Sequence, residues 1–226
     1  MTDALLFEWY RELPQLQAGD DPEMWTSKMH NALRHFRRRV RIRYSEGTLQ
    51  RMLEHPAVGV RRATVLALGL TGTFQSNADL AKRLHDEDEL VAKTASDSLW
   101  EIWFRGDNDE ACLELQRAVH LPDQHQVMAC IDEVIREWPE FAEPYNQRAI
   151  VHFARGDYQK SITDCETTLR LNPFHFGAQA GIGQCHMKTR KYSLALRAFQ
   201  LALDINPHLE YLEQTVEALK GVVEEG

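Results

Sequence analysis

The C-terminal third of this 226-residue chain aligns with itself at a shift of 34 residues. The identities that carry the match are Tyr158 with Tyr192, Leu169 with Leu203, and Asn172-Pro173 with Asn206-Pro207. Each copy reads as an apolar helix, a short polar turn, a second helix and a proline, which cannot continue a helix. One such hairpin cannot bury its apolar face alone. The repeat therefore predicts helical hairpins that stack on one another.

Small and aromatic residues recur at fixed positions of each copy. In the copy at 176–209, small residues occupy positions 8, 20 and 27, namely Gly183, Ala195 and Ala202. An aromatic residue, Phe199, occupies position 24, and Pro207 occupies position 32. The copy at 142–175 has Cys165 in place of the aromatic, among Tyr145, Ala149, Tyr158, Ser161, Cys165, Thr168 and Pro173. These residues resemble the tetratricopeptide repeat (TPR) family. The resemblance implies a solenoid of hairpins that holds segments of other proteins in a groove.

The segments on either side of 142–209 are expected to continue this solenoid. Pro139 lies 34 residues before Pro173, and an apolar helix precedes it, so 108–141 is predicted to be a degenerate TPR-like hairpin. The segment 210–226 combines a helical pattern with several acids. It is predicted to be a solvating C-terminal helix, which repeat arrays need at their ends.

A second repeat, with a slightly shorter period, runs through the middle of the chain. Its matched positions are Leu49, Leu53, Val60 and Leu68 with Leu80, Leu84, Val91 and Leu99. The pattern Leu-x3-Leu, a polar turn and Val-Arg-Arg-Ala resembles the short HEAT-like repeat, and the second copy departs from it at Ala92-Lys93 and Trp100. We predict two HEAT-like repeats at 47–107. The acidic run at 86–89 is expected to be a solvated turn.

The N-terminal segment 1–46 is predicted to form helices that cap the HEAT-like pair. Asp21 and Pro22 are a helix-start signal. An apolar stripe at steps of three or four follows: Trp25, Met29, Leu33, Phe36, Val40 and Tyr44. The expected fold class is therefore all-α, a right-handed helical-hairpin solenoid in which HEAT-like repeats precede TPR repeats.

Motifs that would support catalysis or metal binding are missing from the sequence. It has no His-Glu-x-x-His, Cys-x-x-Cys or Gly-x-Ser-x-Gly, and no glycine-rich loop followed by Lys-Ser or Lys-Thr. We therefore predict no catalytic residues, no metal site and no cofactor. The less favoured alternative is an enzyme whose site is assembled between layers of the solenoid; HEAT-like repeats also occur in proteins that handle bilin pigments.

The cysteines and the N-terminal segment indicate in which cellular compartment the protein is expected. Cys112, Cys130, Cys165 and Cys185 lie within apolar helical patterns, which favours buried reduced thiols over disulfides or zinc. The N-terminus carries acids where a signal peptide needs a basic flank, and no run of apolar residues approaches the length of a membrane span. These features favour a cytoplasmic protein.

The TPR resemblance also implies which side chains would hold a partner. Positions 2, 5, 6, 9 and 12 of each copy would face the groove, namely Glu143, Asn146, Gln147, Ile150 and Phe153, then Gly177, Ala180, Gly181, Gln184 and Met187. The candidate partner-binding residues are Asn146, Gln147, Ile150, Phe153, Ala180, Gln184 and Met187. This set lacks the basic members of the clamp by which one TPR subclass grips chaperone C-termini.

The expected ligand is therefore a helix or extended segment of another protein with apolar anchors and hydrogen-bonding groups. In the alternative interpretation, the chain's own helices, such as the C-terminal one, cover this surface.

A basic surface is the second candidate site. The segment 28–43 carries seven basic residues and no acid, and the helical run 34–43 places four arginines on one side of its apolar stripe: Arg34, Arg37, Arg38 and Arg41. Such a surface could bind phosphates of nucleic acid or of anionic lipid. Alternatively, these arginines pair with acids of a packed neighbour. The net charge of −8 disfavours general nucleic-acid binding.

Overall fold

The computed structural model describes residues 3–15 and 21–224. Within those ranges every regular element is an α-helix or a short 3₁₀ helix, and the helices pack as hairpins. The predicted all-α fold of helical hairpins is therefore confirmed. The chain divides into two compact units, Met1–Ile102 and Trp103–Gly226.

The first unit begins with α1 (Asp3–Arg11) and α2 (Pro22–Arg43), which pack on each other and on α4. Two hairpins follow: α3 (Glu46–Met52) with α4 (Val58–Thr71), then α5 (Asn77–Lys82) with α6 (Glu89–Arg105), which extends past the unit boundary. Two 3₁₀ helices, Phe74–Ser76 and Arg83–His85, flank α5. The interval from the start of α3 to that of α5 equals the interval from α4 to α6, and both match the spacing of Leu49 and Leu80. The sequence period of this unit is therefore also its structural period.

The side chain of Asp21 caps α2 by accepting a hydrogen bond from the Met24 amide at 2.8 Å. The predicted apolar stripe is confirmed, since Phe36 and Val40 are buried and Trp25, Met29, Leu33 and Tyr44 are partly buried. The stripe therefore fixes which side of α2 faces the unit and leaves the arginine side outward.

The acidic run at 86–89 is not simply a solvated turn. The Asp86 side chain is 2% exposed and accepts two hydrogen bonds from Arg61, at 2.8 and 3.0 Å. Burial alone would raise the pKa of Asp86, but the hydrogen bonds from Arg61 and from the Asp88 amide outweigh it and hold that pKa below its ordinary value. Arg62 grips Asp88 in the same bidentate way. The run thus ties the start of α4 to the start of α6.

The second unit contains the C-terminal repeats. Its helices are α7 (Asp109–Val119), α8 (Gln124–Glu137), α9 (Ala142–Ala154), α10 (Tyr158–Leu171), α11 (Phe176–Lys188), α12 (Tyr192–Ile205) and α13 (Glu210–Glu224). Each packs against the next along the chain. The starts of α9, α11 and α13 are separated by one period of the C-terminal sequence repeat, and so are those of α8, α10 and α12. Helix α13 therefore occupies the place of the first helix of a further copy.

Close approach of the helices depends on the small residue at position 8. A Cβ atom on Gly183 would lie well inside contact distance of the Phe199 ring, so this crossing of α11 and α12 requires glycine. The equivalent residue of α13 is Glu217, which is exposed and pairs with Lys220 at 3.1 Å. The small residue of position 8 is therefore replaced by a charged, solvent-exposed one in α13.

Candidate partner-binding groove

The first part of the predicted groove, on α9, is built around a buried carboxylate. Glu143 is fully buried, and its Oε1 accepts hydrogen bonds from Asn146 Nδ2 at 2.9 Å and Gln147 Nε2 at 2.6 Å. Its Oε2 lies 3.0 Å from His175 Nε2. Three donors therefore compensate the cost of removing the carboxylate from water.

The tautomer of His175 follows from its second contact. Its Nδ1 accepts the Ala178 amide hydrogen at 3.0 Å, which caps α11, so Nε2 carries the proton and donates to Glu143. The Trp103 ring, near the end of α6, stacks on the imidazole with centroids 4.3 Å apart. Trp103 and His175 are both buried, so the chain itself closes this end of the groove.

Two of the seven candidate partner-binding residues are consequently unavailable to a partner. Asn146 is 4% exposed and committed to Glu143. Ala180 is 2% exposed and belongs to a core cluster with Leu212 and Val216 of α13. The expectation that these two side chains contact a partner is corrected, because His175 and α13 bury them.

The other five candidate residues remain at least partly accessible. Ile150 is 54% exposed and Gln184 is exposed. Gln147 is partly buried by its bond to Glu143, and Phe153 packs edge-on against Tyr158 with ring centroids 5.5 Å apart. The open surface therefore begins at Ile150 and continues over α11.

Helix α13 extends the groove, although its sequence predicts only a solvating cap. Met187 lines an open pocket of about 530 Å³ together with residues of α12 and α13: Tyr192, Tyr211, Gln214, Thr215, Ala218, Leu219 and Val222. Tyr211, Gln214, Thr215 and Ala218 stand at positions 2, 5, 6 and 9 of a further copy of the repeat. The C-terminal helix therefore buries Ala180 but leaves an accessible pocket at Met187. The spacing from Phe176 to Glu210 was the available signal for this extension.

The arginine side of α2 is exposed. Arg34, Arg37, Arg38 and Arg41 all lie at the surface, and Arg34 donates a hydrogen bond to Asn31. Arg37, Arg38 and Arg41 form no ion pair with any residue in 3–15 or 21–224. Arg39, on the other side of the stripe, pairs with Glu12 and stacks over the Trp9 ring with its Cζ 4.2 Å from the centroid. The expectation of acidic partners therefore holds for Arg39 and not for Arg37, Arg38 or Arg41.

All four cysteines are free thiols, and three of them are buried. Within the described ranges no group of three or more His, Cys, Asp or Glu side chains is placed to hold a metal ion. In the same ranges we find no helix with the length and apolar character needed to span a bilayer.

Comparison with known proteins supports the TPR resemblance. A TPR repeat-containing protein of Rhizobium etli is 36% identical over 89 residues, which cover 39% of this chain and 44% of the relative. Part of this chain is similar to TPR proteins. Anaphase-promoting complex subunit 3 of Schizosaccharomyces pombe is 33% identical over 97 residues, covering 43% of this chain and 14% of that protein. The chain thus spans less than half the length of each of these two relatives.

No protein-family model matches the chain. Among solved structures, the first TPR of Spaghetti (RPAP3), bound to the HSP90 peptide SRMEEVD, aligns with a TM-score of 0.48 and 14% identity, covering 52% of this chain and 96% of that one. The HEAT-like character of the hairpins at 47–107 stays a prediction.

Proposed function

We propose that this protein is a non-catalytic interaction scaffold that holds a segment of a partner protein along the exposed faces of α9, α11 and α13. The similarity to TPR proteins supports the general role. The observation that carries the proposal is the open pocket at Met187, where apolar side chains stand beside the amide of Gln214 and the hydroxyl of Thr215. A protein segment with an apolar anchor and free backbone groups matches this lining.

A display library tests the groove. The full chain would be immobilised and panned against random twelve-residue peptides, and the enriched peptides would be titrated in solution. Ala218→Arg places a long cation in the wall of the pocket and should weaken binding at least tenfold.

The matched control is Ala129→Arg, on the exposed face of α8, which is the second helix of the hairpin at 108–141. It should leave the affinity unchanged. Equal affinities for the two variants would refute the groove assignment.

The organisation of the chain is proposed along the same lines. The capping segment 1–46 precedes two HEAT-like repeats at 47–107, a degenerate TPR-like hairpin at 108–141, two TPR repeats at 142–209 and a solvating helix at 210–226. The starts of the helices, which recur at the two sequence periods, support these divisions. We also propose a cytoplasmic location, which the four free thiols support.

A second candidate function concerns the arginine side of α2, which would bind the phosphates of a nucleic acid or an anionic lipid surface. The exposure of Arg37, Arg38 and Arg41 without acidic partners in the described ranges favours it. In titrations with a fluorescent single-stranded oligonucleotide, the triple Ala variant should reduce both the affinity and its salt dependence. Vesicles containing anionic lipid would replace the oligonucleotide in a parallel arm.

The control replaces three exposed arginines of the other unit: Arg117, Arg136 and Arg170. Equal losses in the two triple variants would indicate general charge effects and end this second proposal.

A further inference from the structure

Basic residues cluster at the turn between α11 and α12, beside the open pocket. Lys188, Arg190 and Lys191 are exposed, and none of them forms an ion pair with an acidic side chain in the described ranges. Arg148, by contrast, binds both Asp164 and Asp132 at 2.7 Å. The described residues therefore leave the positive charge of this turn without an ion pair, in a protein whose net charge is negative.

Two of these cations line a second pocket. Arg190 and Lys191 border an open pocket of about 440 Å³ with Tyr192, Ser193, Leu194, Val222 and Val223. It shares Tyr192 and Val222 with the pocket at Met187. A pocket with a positively charged rim and an apolar pocket are thus neighbours, separated by the side chains of Tyr192 and Val222.

The backbone at Arg190 adopts a conformation that is strained for a residue other than glycine. Its φ of 59° lies in the left-handed region, and the equivalent turn of the preceding copy has Gly156 there, with φ 80°. Glycine adopts this conformation without penalty, whereas a residue with a Cβ atom does not. Backbone strain of this kind clusters at functional sites.

The apolar side chains around the two pockets are also unusually open to solvent. Tyr192, Leu194, Tyr211 and Val222 are exposed large hydrophobics that border the same pockets. Exposed apolar side chains gathered at one place mark interaction sites more often than single ones do.

We propose that this end of the groove recognises an acidic peptide segment of a partner protein. An apolar side chain of the segment enters the pocket at Met187 and Tyr211, and a carboxylate next to it lies against Arg190 and Lys191. This assignment rests on the proposed scaffold function and adds the chemistry of the ligand. The charge of the turn selects carboxylates, and the adjoining pocket selects segments that also carry an apolar anchor.

Three synthetic peptides test the assignment. Each has a central Leu-Phe pair flanked on both sides by three Glu, three Gln or three Lys residues, and each would be titrated by fluorescence anisotropy against the full chain. The Glu peptide should bind at least fivefold more tightly than the Gln peptide, and about 0.5 M salt should remove the difference, because exposed charge pairs are screened.

The double variant Arg190→Gln with Lys191→Gln should lower the affinity for the Glu peptide about fivefold, as expected for two exposed pairs, and leave the Gln peptide unchanged. Lys160→Gln with Arg170→Gln, on α10, is the matched control and should change neither. Arg190→Gly distinguishes a loss of charge from a loss of stability. It should raise the midpoint of thermal unfolding and at the same time lower the affinity for the Glu peptide. Equal binding of the Glu and Gln peptides would overturn the proposal.

Other results separate this proposal from the general one. If library peptides bind and depend on Ala218 but show no preference for carboxylates, the scaffold function stands and the acidic ligand is wrong. If no peptide binding depends on Ala218, both proposals fail. A dimer in sedimentation experiments that dissociates in the Arg190 and Lys191 variant would identify a second copy as the occupant and overturn the acidic segment.

Discussion

His175 donates a hydrogen bond from Nε2 to Oε2 of Glu143 across 3.0 Å, and both side chains are fully buried. The bond joins the start of α11 to the first turn of α9, one copy earlier in the chain. Because Nδ1 of the same ring caps α11 through Ala178, one imidazole fixes two helices of consecutive repeats. The pair therefore fixes the position of α11 relative to α9 at the closed end of the groove.

Replacing His175 with Ala should destabilise the second unit strongly. The change leaves the Glu143 carboxylate buried with one donor fewer, uncaps α11 and removes the stacking surface of Trp103. We expect a loss of about 2–4 kcal/mol in the free energy of unfolding, measured by urea denaturation. The control His125→Ala, at an exposed position, should stay within about 0.5 kcal/mol. Similar losses in both variants would contradict the role of the buried pair.

Two helical glycines should respond to alanine in opposite directions. At Gly183 the new methyl group would collide with Phe199, so we expect Gly183→Ala to cost about 1–3 kcal/mol through overpacking. At Gly221, nothing lies within 4 Å of the added Cβ atom, so Gly221→Ala should stabilise α13 by roughly 0.5 kcal/mol. Thermal unfolding of both variants checks the pair. If Gly183→Ala left the stability unchanged, the crossing of α11 and α12 would have room for an extra methyl group.

The period of the C-terminal repeat predicted the helices of the second unit well because it records their packing directly. It also placed Asn146 on a groove face, yet it could not show that this side chain is buried. That depends on His175 and on Trp103, which lies outside the repeat. The same period reaches Glu210, but the acids of 210–226 suggest only a solvating helix. The pocket at Met187 escapes prediction because it forms where α13 packs beside α11 and α12.

The basic helix shows a similar division between what a pattern can and cannot establish. A helical wheel separates Arg39 from Arg37, Arg38 and Arg41, since angular position depends on sequence alone. It cannot identify Glu12 and Trp9 as the neighbours of Arg39, because those contacts depend on how α1 packs against α2.

Arg39 and Arg38 should therefore differ in their contribution to stability. Arg39→Ala removes an ion pair with Glu12 and a cation–π contact with Trp9, which together should cost about 1 kcal/mol. Arg38→Ala should change the free energy of unfolding by less than about 0.5 kcal/mol, since its side chain is exposed. Urea denaturation of the two variants in low and high salt provides the measurement. Equal effects would mean that the contacts of Arg39 contribute nothing beyond those of a free surface arginine.

The buried thiol of Cys165 should make stability fall at alkaline pH. Burial, reinforced by the neighbouring Cys185, raises the pKa of Cys165 to about 12, against about 8.5 for a thiol in an unfolded chain. The folded state therefore keeps its proton where the unfolded state loses it. The contribution is complete below about pH 8.5 and is lost as the pH rises toward 12, at up to about 1.4 kcal/mol per pH unit.

Cys165→Ala isolates this contribution because it has no thiol to ionise. At pH 8 the variant should be less stable than the native chain, owing to the lost sulfur packing. At pH 10 that gap should narrow by about 2 kcal/mol, since only the native chain has an unfolded state that is stabilised by ionisation of this thiol. Cys130→Ala, at a partly buried site, serves as the control for the loss of a cysteine elsewhere in the unit. A gap for Cys165→Ala that stays constant from pH 8 to pH 10 would show that this thiol ionises as readily in the folded chain as in the unfolded one.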